Sequence, residues 1–260
     1  MIGIFDSGVG GMTVACAVEK LLPSHRLIYF GDLARTPYGT KSPETIIKYS
    51  IQNTEFLLNH GAQVIIVACN SAASVGSEVL KEKFGVPIFE VISPAISKAI
   101  ESTVSKRIGV IGTRATIRSR VYEEKITQAA PGVQVFSKAC PLLVPLVEEG
   151  WMHRRETKMI LRRYLYPLRL KQIDTLVLGC THYPLLADLI QTRIGKKRVS
   201  LINSSTEVAK NLKDFLDKNP DFDQSLIRGG ENHYFVSDVT TAAELTARKI
   251  FGRKIKLIKA

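Results

Sequence analysis

The sequence predicts an α/β protein of two pseudo-symmetric domains, each with a mostly parallel sheet flanked by helices. Three observations support this fold class. Short apolar segments alternate with helix-compatible segments, as in parallel sheets whose strands are joined by right-handed crossovers. The segment VIIVACNSAA at 64–73 is matched by TLVLGCTHYPLL at 175–186. The opening segment MIGIFDSG is matched in the same way by RIGVIG at 107–112.

The matched segments have nearly the same spacing, which indicates an internal duplication. The opening strands are 106 positions apart, and Cys69 and Cys180 are 111 positions apart. Chain ends tend to lie together, so we expect the C-terminal segment to return to the first unit. The predicted domains are 1–94 plus 207–260, on the Cys69 side, and 95–206, on the Cys180 side. The active site is expected in the cleft between them.

The predicted strands are short apolar segments, rich in β-branched residues, that end in polar or glycine-containing turns. Because they are too short for ordinary helices, a strand is the better interpretation. In chain order they cover 2–5, 27–30, the apolar run before Cys69, 86–91, 107–112, 133–136, the apolar run before Cys180, 200–203 and 234–236.

Helical periodicity predicts the connecting segments. The predicted helices cover 12–22, 43–59, 70–84, 95–104, a basic segment within 154–171, 206–216 and a C-terminal helix. His60 and Gly61 should end the second helix. Ser93 and Pro94 should end the fourth strand, and the polar region around 219–232 is expected to be hairpin-like.

The turn after the first strand combines Asp6 and Ser7 with glycines, ahead of a helix, which is a layout that binds anions. A dinucleotide fingerprint would need a glycine where Thr13 stands, and no GxxxxGK[ST] sequence is present. A carboxylate at Asp6 suits an ammonium group or a proton relay better than a phosphate. A nucleotide site is therefore disfavoured.

Composition places the chain among globular proteins. Of its 260 residues 45% are hydrophobic and 23% charged, which excludes collagen-like and disordered classes. No stretch approaches about 18 consecutive apolar residues, so no membrane partner is expected. The N-terminus lacks a basic segment followed by an apolar one, and we expect a cytoplasmic protein. The four cysteines form no CxxC pair and should be free thiols.

The formal net charge of +12 favours anionic partners, including nucleic acid. Basic residues concentrate at 154–171 and 248–259. In the first segment Leu161, Leu165 and Leu168 keep helical spacing, which indicates an amphipathic helix with a solvated basic face. No nucleic-acid-binding module is recognisable, so that partner is possible but unsupported by a motif.

Each cysteine of the matched segments directly follows a predicted strand. Cys69 precedes a helix N-terminus, where amide dipoles and hydroxyl donors would stabilise its thiolate, and the same is expected of Cys180. His182, two positions further on, is a candidate proton partner for Cys180. Cys16 and Cys140 lack such polar neighbours and are expected to be packing residues.

Three chemistries could use a pair of opposed thiols. A disulfide requires the sulfurs to touch, which sites across a cleft do not favour. Zinc could take Cys69, Cys180 and His182, although Cys-x-His is not a usual ligand spacing. In the third chemistry a substrate lies between the thiols, and one removes a proton while the other supplies one to the opposite face. That reaction inverts a stereocentre, and pseudo-symmetry would place equivalent groups on both faces of the bound carbon.

Five motifs occur in order between residues 5 and 184: FDSGVGG, TPYG, VACNSA, PLVEEG and GCTHYP. Together they resemble the glutamate racemase signatures of the aspartate/glutamate racemase superfamily. The C-terminal third carries less distinctive sequence. One position departs from the pattern, because Ser71 stands where family members usually have Thr. The hydroxyl donor is kept and a methyl contact is lost.

The resemblance implies a cofactor-independent interconversion of L- and D-glutamate that supplies D-glutamate for peptidoglycan. It implies that Cys69 deprotonates D-glutamate and Cys180 deprotonates L-glutamate, each thiol serving as the acid for the other. Asp6, His182 and Glu148 would assist proton transfer. The residues expected to bind the amino acid are Asp6, Ser7, Tyr38, Gly39, Asn70, Ser71, Thr181 and His182. No metal or cofactor is expected.

Three alternatives stay open at this point. The first is an aspartate racemase of the same superfamily. The second is a nucleic-acid-binding or regulatory role through the basic surface. The third is a two-domain amino-acid-binding protein without catalysis. A homodimer is expected, because α/β enzymes of this size often form one.

Overall fold

The computed structural model of the chain describes residues 1–195 and 198–260. Its strands form two sheets whose ladders are all parallel, and helices pack against both sheets. The predicted fold class is therefore confirmed. Within the described ranges the one antiparallel pairing is an isolated bridge between His25 and Arg228.

All nine predicted strands occur among the described residues, some with different bounds, and β10 is an additional strand. Their bounds are β1 Ile2–Asp6, β2 Leu27–Gly31, β3 Val64–Val67, β4 Ile88–Glu90, β5 Arg107–Gly112, β6 Gln134–Ala139, β7 Thr175–Gly179, β8 Ser200–Asn203, β9 His233–Val236 and β10 Leu257–Lys259. The first sheet has the order β10-β9-β2-β1-β3-β4 and the second has the order β6-β5-β7-β8.

Helices connect most of the strands, and several are short. Their bounds are α1 Met12–Leu21, α2 Pro43–Asn59, α3 Asn70–Lys83, α4 Ile92–Ser102, α5 Arg114–Arg118, α6 Val121–Ala129, α7 Leu143–Glu148, α8 Arg155–Leu170, α9 Ala187–Ile194, α10 Ser204–Lys218, α11 Pro220–Ser225 and α12 Thr241–Phe251. Four 3₁₀ turns complete the described helical structure, at Leu33–Arg35, Tyr38–Thr40, Trp151–His153 and Tyr183–Leu186.

Four strands are arranged identically in the two sheets. The order β2-β1-β3-β4 in the first sheet corresponds to β6-β5-β7-β8 in the second. The register agrees as well, because Ile2 pairs with Val64 in the first sheet and Ile108 pairs with Thr175 in the second. These partners are offset by the same 106 and 111 positions that separate the sequence repeats. The repeat in the sequence is therefore a repeat of topology, and the two cysteines follow equivalent strands.

The predicted boundaries of the two domains fall inside helices. Residues 94 and 95 lie in α4, and residues 206 and 207 lie in α10. Both helices contact strands of the second sheet, and α10 also contacts β4 of the first. One apolar cluster includes Ile4 of the first sheet and Ile108 of the second. The division into 1–94 plus 207–260 and 95–206 therefore stays a prediction.

Strands β1, β3 and β7 are buried along their whole length. Such strands are apolar and largely β-branched because helices cover both faces of a parallel sheet. Since every ladder is parallel, strands of one sheet end at the same edge. Asp6, Cys69 and Cys180 stand at or directly beyond these ends.

The fourth strand and the helix after it differ from the prediction. The strand covers only 88–90, and α4 already begins at Ile92, so Ser93 and Pro94 lie in the first helical turn. Proline is tolerated there because the first turn has no intrahelical partner for its missing N–H. The Glu90 carboxylate accepts hydrogen bonds from the Ile92 and Ser93 amides, which caps the helix.

The hairpin-like interpretation of 219–232 is wrong. Helix α11 occupies its first half, with Pro220 in the first turn and Asp221 and Asp223 beside the positive helix end. The sequence also gave no sign of β10, which has only three residues and pairs with β9 at the sheet edge. Polar composition alone does not distinguish a short helix from a turn, and a three-residue edge strand is too short to show a periodic pattern.

Helix α8 is amphipathic, as predicted for the basic segment. Its Leu161, Leu165 and Leu168 are buried, whereas the basic residues are exposed, namely Arg155, Lys158, Arg162, Arg163 and Arg169. This is the solvated basic face that the leucine spacing indicated. None of the helices in residues 1–195 and 198–260 has the length and apolar character needed to cross a bilayer.

Candidate active site

One cavity at the carboxyl ends of the strands is lined by both cysteines of the repeat. Cys69 comes from the first sheet and Cys180 from the second, and each is only 5% exposed. Ligand sites of parallel α/β sheets form at this edge of the strands. From the Cys69 side the lining comprises Ser7, Tyr38, Gly39, Asn70 and Ser71, and from the Cys180 side it comprises Thr181 and His182.

The cavity is nearly closed. Its volume is about 20 Å³, which leaves room for roughly one water molecule. A ligand with the dimensions of an amino acid can enter only if the walls move apart. Such a closed pocket would hold its ligand out of water.

Four further residues line the cavity without having been predicted: Thr36, Pro37, Thr113 and Val144. Thr36 and Pro37 directly precede the predicted Tyr38 in the TPYG motif. Their position in that motif is the sequence signal that could have identified them as lining residues. Thr113 lies 106 positions after Ser7, which makes it the repeat equivalent of a predicted residue. Val144 belongs to the short helix α7 and carried no signal of its own.

Cys69 occupies the N-cap position of α3. Its sulfur lies 3.4 Å from the Ser7 hydroxyl oxygen. Burial raises the pKa of the Cys69 thiol to about 12, and the charge of Asp6 adds to the effect. Hydrogen bonds from Ser7 and from the Ala72 amide lower the pKa, as expected of a helix N-terminus, but they do not outweigh burial. The resting thiol is therefore protonated at neutral pH.

Cys180 has a different environment. Its sulfur lies 3.9 Å from His182 Nδ1, and His182 Nε2 lies 3.1 Å from Glu148 Oε1. Burial works to lower the pKa of His182, but hydrogen bonds and charges from Cys180 and Glu148 outweigh it and raise the pKa to about 10. The three side chains form a hydrogen-bonded row from the cavity to Glu148, which is 32% exposed and lies outside the lining.

The expectation of a helix N-terminus at Cys180 is wrong. The residues after it form a 3₁₀ turn at Tyr183–Leu186, and α9 begins only at Ala187. Pro184 in the turn favours this tight start. Cys180 therefore lacks the aligned amides that Cys69 has, and His182 is the polar group at its sulfur.

Asp6 is fully buried and lies behind the cavity wall. Its carboxylate accepts hydrogen bonds from the Gly8 amide at 2.9 Å and from the Thr181 hydroxyl at 3.3 Å. Burial raises the pKa of Asp6, although the charge of His182 and these hydrogen bonds act in the opposite direction. Asp6 is not among the lining residues. It acts on the cavity through the hydrogen bond from Thr181 and through its charge, which raises the pKa of Cys69.

The glycines after β1 permit close contact between the two halves of the site. A Cβ atom on Gly10 would lie 2.4 Å from His182 Nδ1 and 2.7 Å from the Thr181 hydroxyl oxygen. A Cβ atom on Gly11 would lie 2.2 Å from the Cβ of Asp6. Side chains at these positions would therefore displace the groups around Cys180 and Asp6.

Asn70 presents an unused donor. Its Oδ1 accepts a hydrogen bond from the Tyr122 hydroxyl at 2.7 Å, which fixes the orientation of the amide. Its Nδ2 is buried and has no partner among the described residues. Buried polar atoms are rarely left unpaired, so this amide is a natural contact for a ligand oxygen.

The other predicted binding residues carry hydroxyl or backbone groups. Tyr38 donates a hydrogen bond to Asp32 and accepts one from Asn53 at 3.0 Å. The Ser71 hydroxyl lies 2.8 Å from that of Thr113. Gly39 packs so closely on Thr113 that a Cβ atom would lie 2.6 Å from it. These contacts join the wall of the first sheet to residues that follow β5.

The repeat does not extend to the polar neighbours of the thiols. The equivalent of Asp6 in the second unit is Gly112, and the equivalent of His182 in the first is Ser71. Asp6 therefore has no acidic counterpart at the equivalent position of the second unit, and His182 has no imidazole counterpart at that of the first. The thiols are equivalent in position and unequal in surroundings.

All four cysteines are free and buried. Cys16 and Cys140 lie outside the cavity, as expected of packing residues. In the described residues no group of three or more His, Cys, Asp or Glu side chains is arranged to hold a metal ion.

Comparison with known proteins identifies the family. The model of the Asp/Glu/Hydantoin racemase family matches residues 12–212. The chain belongs to this family. The resemblance drawn from the five motifs is thereby confirmed, and so is the expectation of an amino-acid racemase, which is an isomerase.

Relatives within the Asp/Glu/Hydantoin racemase family are similar over most of their length. A glutamate racemase from Geobacter metallireducens is 44% identical over 98% of this chain and 93% of that protein. Another, from Aquifex aeolicus, is 48% identical over 83% of each chain. The crystal structure of a Bacillus anthracis glutamate racemase superposes with a TM-score of 0.92 at 34% identity, over 100% of this chain and 97% of the other. The Francisella tularensis glutamate racemase in complex with D-glutamate gives 0.90 at 32% identity, over 100% and 96%.

Proposed function

We propose that the chain interconverts L- and D-glutamate without a cofactor, using Cys69 and Cys180 as a pair of acid/base groups. The observation that carries this proposal is the single closed cavity that both thiols line from repeat-equivalent strand ends. The choice of glutamate rests on the relatives, which are named glutamate racemases at 41–48% identity.

The proposed reaction is proton exchange at the α-carbon. Cys180 as thiolate removes the α-proton of L-glutamate, and the Cys69 thiol delivers a proton to the opposite face, which yields D-glutamate. The reverse reaction begins with the Cys69 thiolate. Each turnover leaves the two thiols with exchanged protonation states, so the enzyme is then prepared for the other enantiomer.

Polar neighbours would support each half of this exchange. An imidazolium at His182, favoured by Glu148, can donate a hydrogen bond to the Cys180 thiolate. Ser7 and the α3 amides do the same for Cys69. A carbanion-like state also needs donors near the substrate carboxylate, and the free Nδ2 of Asn70 is one. Closing the cavity removes water, which strengthens these interactions.

The test replaces each thiol in turn. Cys69→Ser and Cys180→Ser should each abolish racemisation in both directions, because a serine hydroxyl is a far weaker acid than a thiol. Racemisation would be followed by circular dichroism from each enantiomer. Cys16→Ser makes the same atom change outside the cavity and should keep full activity. Full two-way turnover by either active-site variant would disprove the two-thiol assignment.

The substrate is tested by exchange in heavy water. Wild-type enzyme should incorporate deuterium at the α-carbon of L- and D-glutamate, and far more slowly at that of aspartate. Faster exchange into aspartate would assign the chain to that substrate. If neither amino acid exchanged its α-proton, the result would favour an amino-acid-binding protein without catalysis.

We further propose that the product serves peptidoglycan synthesis in the cytoplasm, which is where D-glutamate would be consumed. The gene should restore growth of a bacterium that requires D-glutamate, and the Cys69→Ser variant should not. Growth that still depends on added D-glutamate, with the protein expressed and folded, would contradict this role.

A further inference from the structure

A second cavity lies at the opposite end of the first sheet, where β9 and β10 begin. Its volume is about 340 Å³, within the range of roughly 300–1,000 Å³ typical of small-molecule sites. It shares no lining residue with the candidate active site. Its walls come from α1, from the loop before β9, from β9 itself and from the segment between α12 and β10.

Tyr234 gives this cavity an unpartnered donor. Its side chain lines the cavity, yet the residue is only 4% exposed and its hydroxyl has no hydrogen-bond partner among the described residues. The ring is fixed by an edge contact with Phe251 at 5.2 Å between centroids.

Burial, with a contribution from Glu19, raises the pKa of Tyr234 to about 12, although the neighbouring Asn232 and Arg253 side chains act to lower it. The hydroxyl is therefore protonated at neutral pH and needs an acceptor. Arg253 carries only donors, and the Asn232 side-chain oxygen already accepts from the Leu27 amide, so the hydroxyl still lacks an acceptor.

Basic residues share this cavity with Tyr234. Arg253, Lys254 and Lys256 all line the cavity. The acidic Glu19 is already matched, because its Oε1 accepts hydrogen bonds from Arg253 Nη2 at 2.5 Å and from Asn232 Nδ2 at 3.1 Å. A second acid, Glu231, is exposed to solvent. The two lysines thus remain available to an anion that enters the cavity.

We propose that this cavity binds a small oxyanion, a phosphate- or carboxylate-bearing molecule, that accepts a hydrogen bond from Tyr234 and pairs with Lys254 and Lys256. The ligand would accept the hydrogen bond that the buried Tyr234 hydroxyl does not make within the described residues. Because the site lies at the far end of the sheet, its occupancy does not depend on the proposed racemase activity.

Binding is measured directly on the full chain. Inorganic phosphate, pyrophosphate and succinate are titrated by isothermal calorimetry, with ionic strength held constant by chloride. Glutamate is not used because it is the proposed substrate, and the variants of this cavity show whether a bound anion lies here or in the candidate active site. We expect saturable binding of at least one anion, and the comparison of the phosphate and succinate arms distinguishes the two ligand classes.

Variants connect binding to the cavity. Tyr234→Phe keeps the ring and removes only the hydroxyl, and we expect it to weaken binding about tenfold, the effect of one hydrogen bond to a charged group. Lys254→Gln combined with Lys256→Gln should weaken binding as well. Tyr166→Phe and Lys158→Gln make the same changes on the exposed face of α8 and should leave affinity unaltered.

The melting temperature supplies an independent check. Without added anion, Tyr234→Phe should melt at the wild-type temperature or above it, because the variant loses a buried hydroxyl that has no partner. A lower melting temperature would mean that the hydroxyl is already satisfied, and would overturn the proposal. So would failure of all three anions to bind, or equal affinity of wild type and Tyr234→Phe.

Discussion

Cys69 and Cys180 follow equivalent strands but lie in different surroundings. In the proposed reaction the α-proton of the amino acid is very weakly acidic, so a thiolate with a high pKa would be the stronger base for removing it. Burial gives Cys69 this property. Cys180 instead has an imidazole at its sulfur. The two environments are produced by single residues, Asp6 and His182, that the repeat does not share.

Replacing Asp6 tests how its charge acts on Cys69. Because the Asp6 carboxylate raises the pKa of the thiol, Asp6→Asn should lower that pKa while leaving it above its ordinary value, since burial remains. The measurement is the pH dependence of iodoacetamide labelling at Cys69, followed by mass spectrometry of the peptide. Asp188→Asn, at an exposed position, is the matched control. An unchanged or higher labelling midpoint in Asp6→Asn would refute the electrostatic link.

Stability should depend on pH through His182. Its pKa is about 10 in the fold, against an ordinary histidine value of 6.5. A raised pKa means that its contribution to the unfolding free energy is complete below about pH 6.5 and is lost as the pH rises towards 10. Glu148→Gln lowers the pKa of His182, so the decline in stability across this window should be smaller. Urea unfolding at a series of pH values measures it.

The adjacent residue provides the control for that experiment. Glu149→Gln removes the same charge one position along the chain, beyond the contact with His182. Its stability should follow the wild-type pH profile. Identical profiles for wild type and Glu148→Gln would show that Glu148 does not hold the proton on His182.

At the scale of elements, the turn between β1 and α1 sets how closely the two sheets approach at the site. Gly10→Ala would place a methyl group against His182 and Thr181. We expect a loss of about 1–3 kcal/mol in unfolding free energy from overpacking. Racemase activity should fall roughly a hundredfold, because small misplacements of reacting groups are costly.

Gly85→Ala is the control for this turn, because a Cβ atom there meets nothing within 4 Å. Its activity and stability should match those of the wild type. If Gly10→Ala kept wild-type kcat/KM in both directions, the close contact at Gly10 would have no part in positioning His182.

The sequence predicted elements well where local pattern and packing agree. Helix α2 has the predicted bounds, since Ser42 caps it, Pro43 fits its first turn and Gly61 follows its end in a left-handed conformation. Strand β10 could not be found in this way, because a three-residue edge strand exists only through its pairing with β9. The 3₁₀ turn after Cys180 was missed for a similar reason, since polarity alone does not distinguish it from a helix start.

In the candidate site, too, local motifs predicted some of the residues and tertiary contacts determined the others. Residues inside motifs were brought together in the cavity, as Ser7, Tyr38, Asn70 and Thr181 illustrate. Asp6 and Glu148 belong to the motifs as well but lie outside the lining, because burial and contacts with neighbouring side chains depend on the fold and not on the motif. Thr113 could have been predicted from the repeat, since the topology makes it the counterpart of Ser7.

At the scale of the whole molecule, the Thr13 side chain links the two sheets by hydrogen bonds. Its hydroxyl oxygen lies 3.1 Å from the Thr181 carbonyl and 2.8 Å from the Ser205 hydroxyl, residues that follow β7 and β8 of the second sheet. Thr13→Val keeps the shape and removes these bonds. We expect a loss of about 1–3 kcal/mol in unfolding free energy from the partners left unpaired.

Thr127→Val is its control, because Thr127 is exposed and bonds only within its own helix. Its stability should lie within about 0.5 kcal/mol of the wild type. Guanidinium unfolding measures both variants. Equal stability of the two would show that the Thr13 contacts do not hold the units together.

The unequal surroundings of the two thiols have a kinetic consequence for a racemase. Enantiomers in water have the same free energy, so the Haldane relation forces kcat/KM to be equal in the two directions whatever the enzyme does. Asp6 beside one thiol and His182 beside the other can therefore never favour one product at equilibrium. Their asymmetry can appear only as a higher kcat in one direction, matched by a proportionally higher KM.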